Sequence, residues 1–297
     1  MKVGFGAHQV ELGGSVLKDD LRNCNTLLDD PIALWDRLQE DGYLLVRQLH
    51  DPELVLAARA AVIEFMGGAI HPDADPMNAV VHSGQALPRL LGNRAIKHSA
   101  PLSAILENPT LFDFFASLFG EPARTFEYKW LRAVQRDEFT GTHFDVIYMG
   151  AGSQRLFSIW TPLGRVMLDL GDLAICTDSQ WSPGFEKMRQ PYGRSDADRD
   201  KYGGWFSDDP LEVVRSVGGQ WRTTTHEPGD VIVFSMYTLH ASTTNLTDRW
   251  RISCVTRFQP ISDPVDKRWI GDQPHGENQL YTDQPAASEE MRTRWGV

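Results

Sequence analysis

Apolar positions change their spacing along this chain of 297 residues. Between residues 30 and 120 they recur every three to four positions, the period of a helix with one buried face. Asp30-Pro31 supplies a cap and a first-turn proline, Leu34, Trp35 and Leu38 share a face, and Gly42 closes the segment. Tyr43 to Val46 reads as a short strand. Asp51-Pro52 opens a second helix, with Leu54, Val55, Ala58, Val62 and Phe65 on one side and Gly67-Gly68 at its end. Asn108-Pro109 opens a third, whose Leu111, Phe114, Phe115 and Leu118 form a core stripe before Gly120.

Residues 1–29 mix glycine and polar residues without a period and read as an N-terminal arm. Residues 69–94, rich in His, Pro and Gly, read as a loop able to cover a site. From residue 125 the rhythm becomes that of short strands, expected at 125–135, 143–149, 155–161, 172–177, 220–226, 231–235, 238–244 and 251–259. Eight strands after a helical half predict a mainly β fold with N-terminal helices and a double-stranded β-helix (jelly-roll, cupin-like) core. No linker separates the halves, so one domain over 1–297 is expected, with arm and helical support at 1–124, core at 125–260 and tail at 261–297. The 178–219 connection is the longest break in the strands, long enough to be a lid, and Trp181 and Trp205 are its candidate substrate contacts.

Composition narrows the function. Hydrophobic residues make up 41% and charged residues 23%, ordinary for a soluble globular protein. A net charge of −11 disfavours nonspecific binding to nucleic acid or anionic membranes. Cys24, Cys176 and Cys254 lie far apart without a Cys-x-x-Cys pair, which fits a reducing cytoplasm. The N-terminus lacks the pattern of an export signal and no run of eighteen apolar residues occurs.

The candidate chemistry lies in Gly141-Thr142-His143-Phe144-Asp145 and in Leu239-His240-Ala241-Ser242, followed by Arg251. Two histidines and one carboxylate, His143, Asp145 and His240, are the ligand types of a facial iron(II) site, which leaves three positions open. On a strand, His143 and Asp145 would point to the same side. Roughly one His-x-acid pair is expected by chance in a chain with 9 His and 40 acidic residues. The weight therefore rests on the downstream half: the turn Pro228-Gly229-Asp230, the apolar strand after it, His240, Ser242 two residues on, and Arg251 opening another strand. Arg supplies the planar fork that holds a carboxylate, whereas Arg249 and Arg257 read as surface cations. His8, His50, His71, His82, His98, His226 and His275 have no partner at ligand spacing.

At these residues the sequence resembles the phytanoyl-CoA dioxygenase (PhyH-like) family of iron(II)/2-oxoglutarate-dependent oxygenases, over roughly residues 93 to 260. The resemblance implies His143, Asp145 and His240 as iron ligands, Ser242 and Arg251 as holders of the far carboxylate of 2-oxoglutarate, and Trp160 as a pocket wall. It implies Fe(II), 2-oxoglutarate and O2 as the cofactors and hydroxylation of a small-molecule metabolite, with succinate and carbon dioxide released. Arg94 and Lys97 fall where the family can place a basic residue near the cosubstrate. Asp178-Ser179-Gln180-Trp181 departs from the family's Gly-Ser-His, so the substrate does not carry over. Asp145 argues against a halogenase, which vacates the carboxylate position. Desaturation, epimerisation or cyclisation on the same iron site, and a cupin-type metalloenzyme without 2-oxoglutarate, stay open, as does a silent binding protein. If histidines ligate the metal, affinity is expected to weaken as pH falls through roughly 6.5.

Overall fold

A computed structural model describes residues 1–91, 93–186, 196, 205–272, 274 and 293. In chain order the elements are β1 (Lys2–Phe5), β2 (His8–Glu11), β3 (Leu17–Asp19), α1 (Pro31–Asp41), β4 (Tyr43–Val46) and α2 (Pro52–Met66). Next come α3 (Arg94–Lys97), α4 (Ala100–Leu106), α5 (Pro109–Phe119), β5 (Ala123–Thr125), β6 (Trp130–Val134), α6 (Val146–Met149), β7 (Phe157–Pro162) and β8 (Leu173–Thr177). The chain continues through α7 (Pro210–Val217), β9 (Gln220–Thr223), β10 (Val231–Ser235), β11 (His240–Ser242) and β12 (Arg251–Pro260).

The three expected helices form for the stated reasons. Asp30, Asp51 and Asn108 each accept a backbone N–H of the first turn, and a proline stands at the start of each helix. Leu54 is the exception on α2: it stays exposed while Val55, Ala58 and Val62 are buried.

The strands make the double-stranded β-helix that the spacing predicts. The larger sheet runs β4-β10-β7-β12-β5, with β6 also on β12, and the smaller runs β11-β8-β9-β3. The larger sheet is sorted residue by residue. Leu44, Val46, Phe157, Ile159, Val231, Val233 and Phe258 pack outward against α1 and α5. Tyr43, Leu45, Trp160, Ile232 and Phe234 point inward to meet Leu173 and Ile175 of the smaller sheet.

Three expectations change. Residues 1–29 are not an irregular arm: β1 and β2 pair as a hairpin, and β3 joins the smaller sheet parallel to β9. Short strands broken by Gly6, Gly13 and Gly14 show no period long enough to read. The 125–135 strand is two strands, β5 and β6, interrupted at Phe126–Lys129. The strand expected at 143–149 does not form. His143 makes a single bridge to His240, and Val146–Met149 is a helical turn. The partner edge ends there: the chain before His240 folds into a turn in which Thr238 N donates to Ser235 O, so no strand runs alongside residues 145–149. Within 178–219, the described parts include α7 and a bridge from Ser207 to Thr142, while 187–195 and 197–204 lie outside the described residues, as does most of the tail.

Candidate metal centre

His143 and His240 are bound to each other through their backbones. Each N–H donates to the other's carbonyl, at 3.0 and 3.1 Å, so two histidines far apart in sequence stand side by side with ring centroids 4.1 Å apart. Both imidazoles are fixed in the same way. The Nδ1 of His143 lies 2.9 Å from the carbonyl of Gly141, and that of His240 lies 3.0 Å from the carbonyl of Thr238. A carbonyl only accepts, so each Nδ1 carries its proton and donates, leaving each Nε2 with a free lone pair.

Those lone pairs converge on Asp145. Its Oδ1 lies 3.9 Å from Nε2 of His143 and 4.0 Å from Nε2 of His240. One ligand atom from each of the three residues lies within 4.8 Å of the others, and all three side chains are buried. The three candidates come together by a path other than the expected one. Asp145 has helical backbone angles and opens α6, so the turn after the His143 bridge, not strand alternation, swings the carboxylate to the imidazoles.

Asp145 is itself held on both oxygens. Ser158 Oγ donates a short hydrogen bond to Oδ2, and Arg257 Nη2 lies 3.1 Å from Oδ1. Burial alone would raise this carboxyl, but Arg257 and the two imidazoles outweigh it and hold it well below the ordinary carboxylate range. Burial lowers both imidazoles, His143 to about 3, with the neighbouring His240 adding to the effect. The centre is thus an anion beside two neutral rings, the state that ligates a divalent metal.

Arg257 is therefore not a surface cation. It is 4% exposed and its guanidinium lies 3.6 Å from the ring centroid of Trp130. The signal for it was in the sequence: if Arg251 faces inward on β12, so do Ser253, Val255 and Arg257, two residues apart. The same alternation reaches Ser158, which lies two residues before Trp160 on β7, a strand buried on both faces.

Arg251 is buried at the start of β12. Its Nη1 donates a short hydrogen bond to Ser253 Oγ, and its buried Nε has no partner among the described residues. Burial, with a contribution from nearby Arg132, lowers it to about 10, while Asp172 opposes the shift. Ser242 Oγ accepts the Thr140 N–H at 2.7 Å, which leaves its own proton free to donate. An unpartnered guanidinium N–H and a hydroxyl proton fit a carboxylate group. Trp160 faces inward from β7, 5.0 Å from the ring of His226, whose Nδ1 lies 3.0 Å from Asp172 Oδ2.

Beside the centre lies a cavity of about 630 Å3 along the free edge of β6. None of the three candidate ligands lines it; it adjoins the centre through Arg132, Thr140 and Trp205. Trp205 packs on Gly141, where an added Cβ would come within 2.4 Å of the indole. Trp181, its partner in expectation, is instead exposed, with Nε1 3.5 Å from the Glu40 carbonyl at the end of α1. Lys97 is buried, with Nζ 5.2 Å from the ring centroid of Tyr128, and the Arg94 side chain lies outside the described residues.

Residues 38–253 match the sequence profile of the phytanoyl-CoA dioxygenase (PhyH) family, almost three quarters of the chain. The chain belongs to the PhyH family. It is an iron(II)- and 2-oxoglutarate-dependent oxygenase. Among curated relatives, it is 25% identical over 257 residues to the 1-deoxypentalenic acid 11-beta-hydroxylase of Streptomyces exfoliatus, a match that covers 82% of this chain and 86% of that protein. Among solved structures, the alpha ketoglutarate dependent carbocyclase SnoK from nogalamycin biosynthesis superposes with a TM-score of 0.58 at 17% identity, covering 86% of this chain and 93% of SnoK. EctD from S. alaskensis, crystallised with 2-oxoglutarate and 5-hydroxyectoine, gives 0.55 at 18% identity, covering 94% and 91%. Both likenesses show a shared fold. Among the described residues, no helix of this PhyH member is long and apolar enough to cross a membrane.

Proposed function

We propose that His143, Asp145 and His240 hold the iron, that Arg251 and Ser242 hold the far carboxylate of 2-oxoglutarate, and that the enzyme hydroxylates a C–H bond of a small, largely apolar metabolite. The observation that carries this is the convergence of two free Nε2 lone pairs and one carboxylate oxygen, with each Nδ1 already donating to a carbonyl. When bound, iron with 2-oxoglutarate supplies the oxidising power that the protein's own side chains lack. The chain contributes position and dryness. Ser158 and Arg257 fix the Asp145 rotamer, Arg251 and Ser242 offer N–H and O–H donors to one carboxylate, and Trp160 and Phe234 keep the interior apolar. The hydroxylase relative, which by its name acts on 1-deoxypentalenic acid, supports hydroxylation over cyclisation or epimerisation here. Three buried, free cysteines support a reducing compartment such as the cytoplasm.

The test is iron-dependent formation of succinate from 2-oxoglutarate, followed in Arg251→Lys. Truncating one partner of a buried charge pair costs about 2 to 5 kcal/mol, so the 2-oxoglutarate KM should rise at least roughly 30-fold while iron affinity holds. An unchanged KM would refute the role of Arg251. Iron-independent turnover would refute the whole reading.

A further inference from the structure

We propose that Arg132 anchors a carboxylate on an otherwise apolar substrate lying in the cavity along β6. The inference rests on the functional reading above for the word substrate, but its evidence is separate.

Register places Arg132 opposite Ser253, between Trp130, which pairs with Val255, and Val134, which pairs with Arg251. Its side chain therefore shares the inward face with Arg251 and Arg257, and it also lines the cavity wall. That makes three guanidiniums on one patch. Two have an anion to answer them: Arg257 lies on Asp145, and Arg251 feels the charge of Asp172 and, in the proposed complex, meets the far carboxylate of 2-oxoglutarate. Arg132, half-buried, has no hydrogen-bond or ion-pair partner among the described residues. The carboxylates at the cavity mouth do not answer it. Glu138 is exposed and takes the backbone and side-chain N–H groups of Gln135, and Asp137 is exposed to solvent.

A half-buried guanidinium held against two like charges is costly unless an anion completes it. The rest of the wall says what else the occupant must be. Leu87, Leu90, Leu131, Val134, Phe139 and Trp205 give an apolar wall to an open cleft, and about 630 Å3 is the size of a small-molecule site. Arg89 also lines the cavity, but it is exposed and its Nε donates to the Leu91 carbonyl at 3.2 Å. The one inward-facing fork, Arg132, suits one carboxylate, where a phosphate would call for several donors. The ligand that satisfies both wall and fork is a compact hydrocarbon monoacid. Held at its acid end, it would offer the metal centre a C–H bond at a set distance from the carboxylate.

The test is a binding measurement on the iron(II)-loaded enzyme, saturated with 2-oxoglutarate and kept free of oxygen, so that Arg251 is occupied and no turnover is needed. The probes are 1-adamantanecarboxylic acid, its methyl ester and 1-adamantanemethylamine, titrated by calorimetry into wild type, Arg132→Gln and Arg132→Glu, with thermal melting as the check on folding. Wild type should bind the acid about tenfold or more tighter than the ester, the scale of one charge-assisted hydrogen bond. Arg132→Gln should bring acid and ester within about twofold of each other, and Arg132→Glu should favour the amine. Equal binding of acid and ester by wild type, binding of neither, or an acid preference that survives in both variants would overturn the proposal. So would Arg132→Gln losing 2-oxoglutarate instead of the acid, which would assign the residue to the cosubstrate. Failure of the functional reading looks different: the acid preference and its loss in Arg132→Gln would stand, but no succinate would form once oxygen is admitted.

Discussion

Arg257 shows how much one side chain can decide at the centre. Its Nη2 lies 3.1 Å from Asp145 Oδ1, a positive neighbour to the carboxylate that does not depend on a bound metal. Removing one member of a buried ion pair costs about 3 to 5 kcal/mol. Arg257→Gln should therefore destabilise the metal-free protein by that order in urea unfolding, and by clearly less when a divalent metal is bound and shares the Asp145 charge. Equal losses in both forms would show that the pair is not supporting the carboxylate. The histidines set the response to acid. Burial holds His50 at about 4 and His143 at about 3 in the fold, against about 6.5 in an unfolded chain. A depressed imidazole means that the unfolded state takes up the proton first, so stability is lost as pH falls below 6.5 and the loss continues down to the folded values. Each such histidine contributes about 1.4 kcal/mol per pH unit in that window. Unfolding of the metal-free protein at pH 7, 6 and 5 should show this slope, and His50→Gln should reduce it by one proton's share. The same burial corrects the expected pH for metal release. For His143, held at about 3, protonation should compete with the metal only well below the 6.5 of an unburied ring, and for His240 the shift is in the same direction.

Among the elements, the segment 140–149 carries the most function in the least regular structure. Thr142 pairs with Ser207, His143 with His240, and Val146 N donates to Met236 O, so two distant segments, one at Ser207 and one running from Met236 to His240, hold it in place. Gly141 is where that segment meets Trp205, close enough that any side chain would collide with the indole or with the Ser207 carbonyl at 3.0 Å. Gly141→Ala should push the His143 backbone or Trp205 aside. Since misplacement by about 1 Å can cost roughly 100-fold in rate, turnover should drop by that order while the melting midpoint falls only modestly. Unchanged turnover would mean that the loop bearing Trp205 yields freely. In contrast, α1, α2 and α5 are legible in the sequence, because a capping Asp or Asn, a first-turn Pro and an apolar stripe are local signals. Residues 143–149 are not, because whether an apolar run becomes a strand depends on a partner edge that lies about ninety residues away.

At the scale of the molecule, the proposed ligands come from two distant stretches that meet only when the two sheets close on each other. A metal that binds the native site and not the unfolded chain should stabilise the fold, by about 2.7 kcal/mol at a free concentration of 100 times Kd. The midpoint of thermal unfolding should rise with added manganese(II) in wild type and stay still in His143→Ala. A rise in both would place the metal elsewhere. The residue types and their spacing determined the family, the three main helices, the change to short strands after residue 120 and the three candidate ligands, since each of these is written in local periodicity or in a motif. Tertiary structure alone decided that Asp145 reaches the imidazoles from a helical turn, that β3 completes a sheet, and that Arg132 lies opposite Ser253 on the inward face. The physical reason is one of range. A side chain's period is set by its neighbours in sequence, but which face is the inside, and which charges share it, is set by strands that pair across the whole chain.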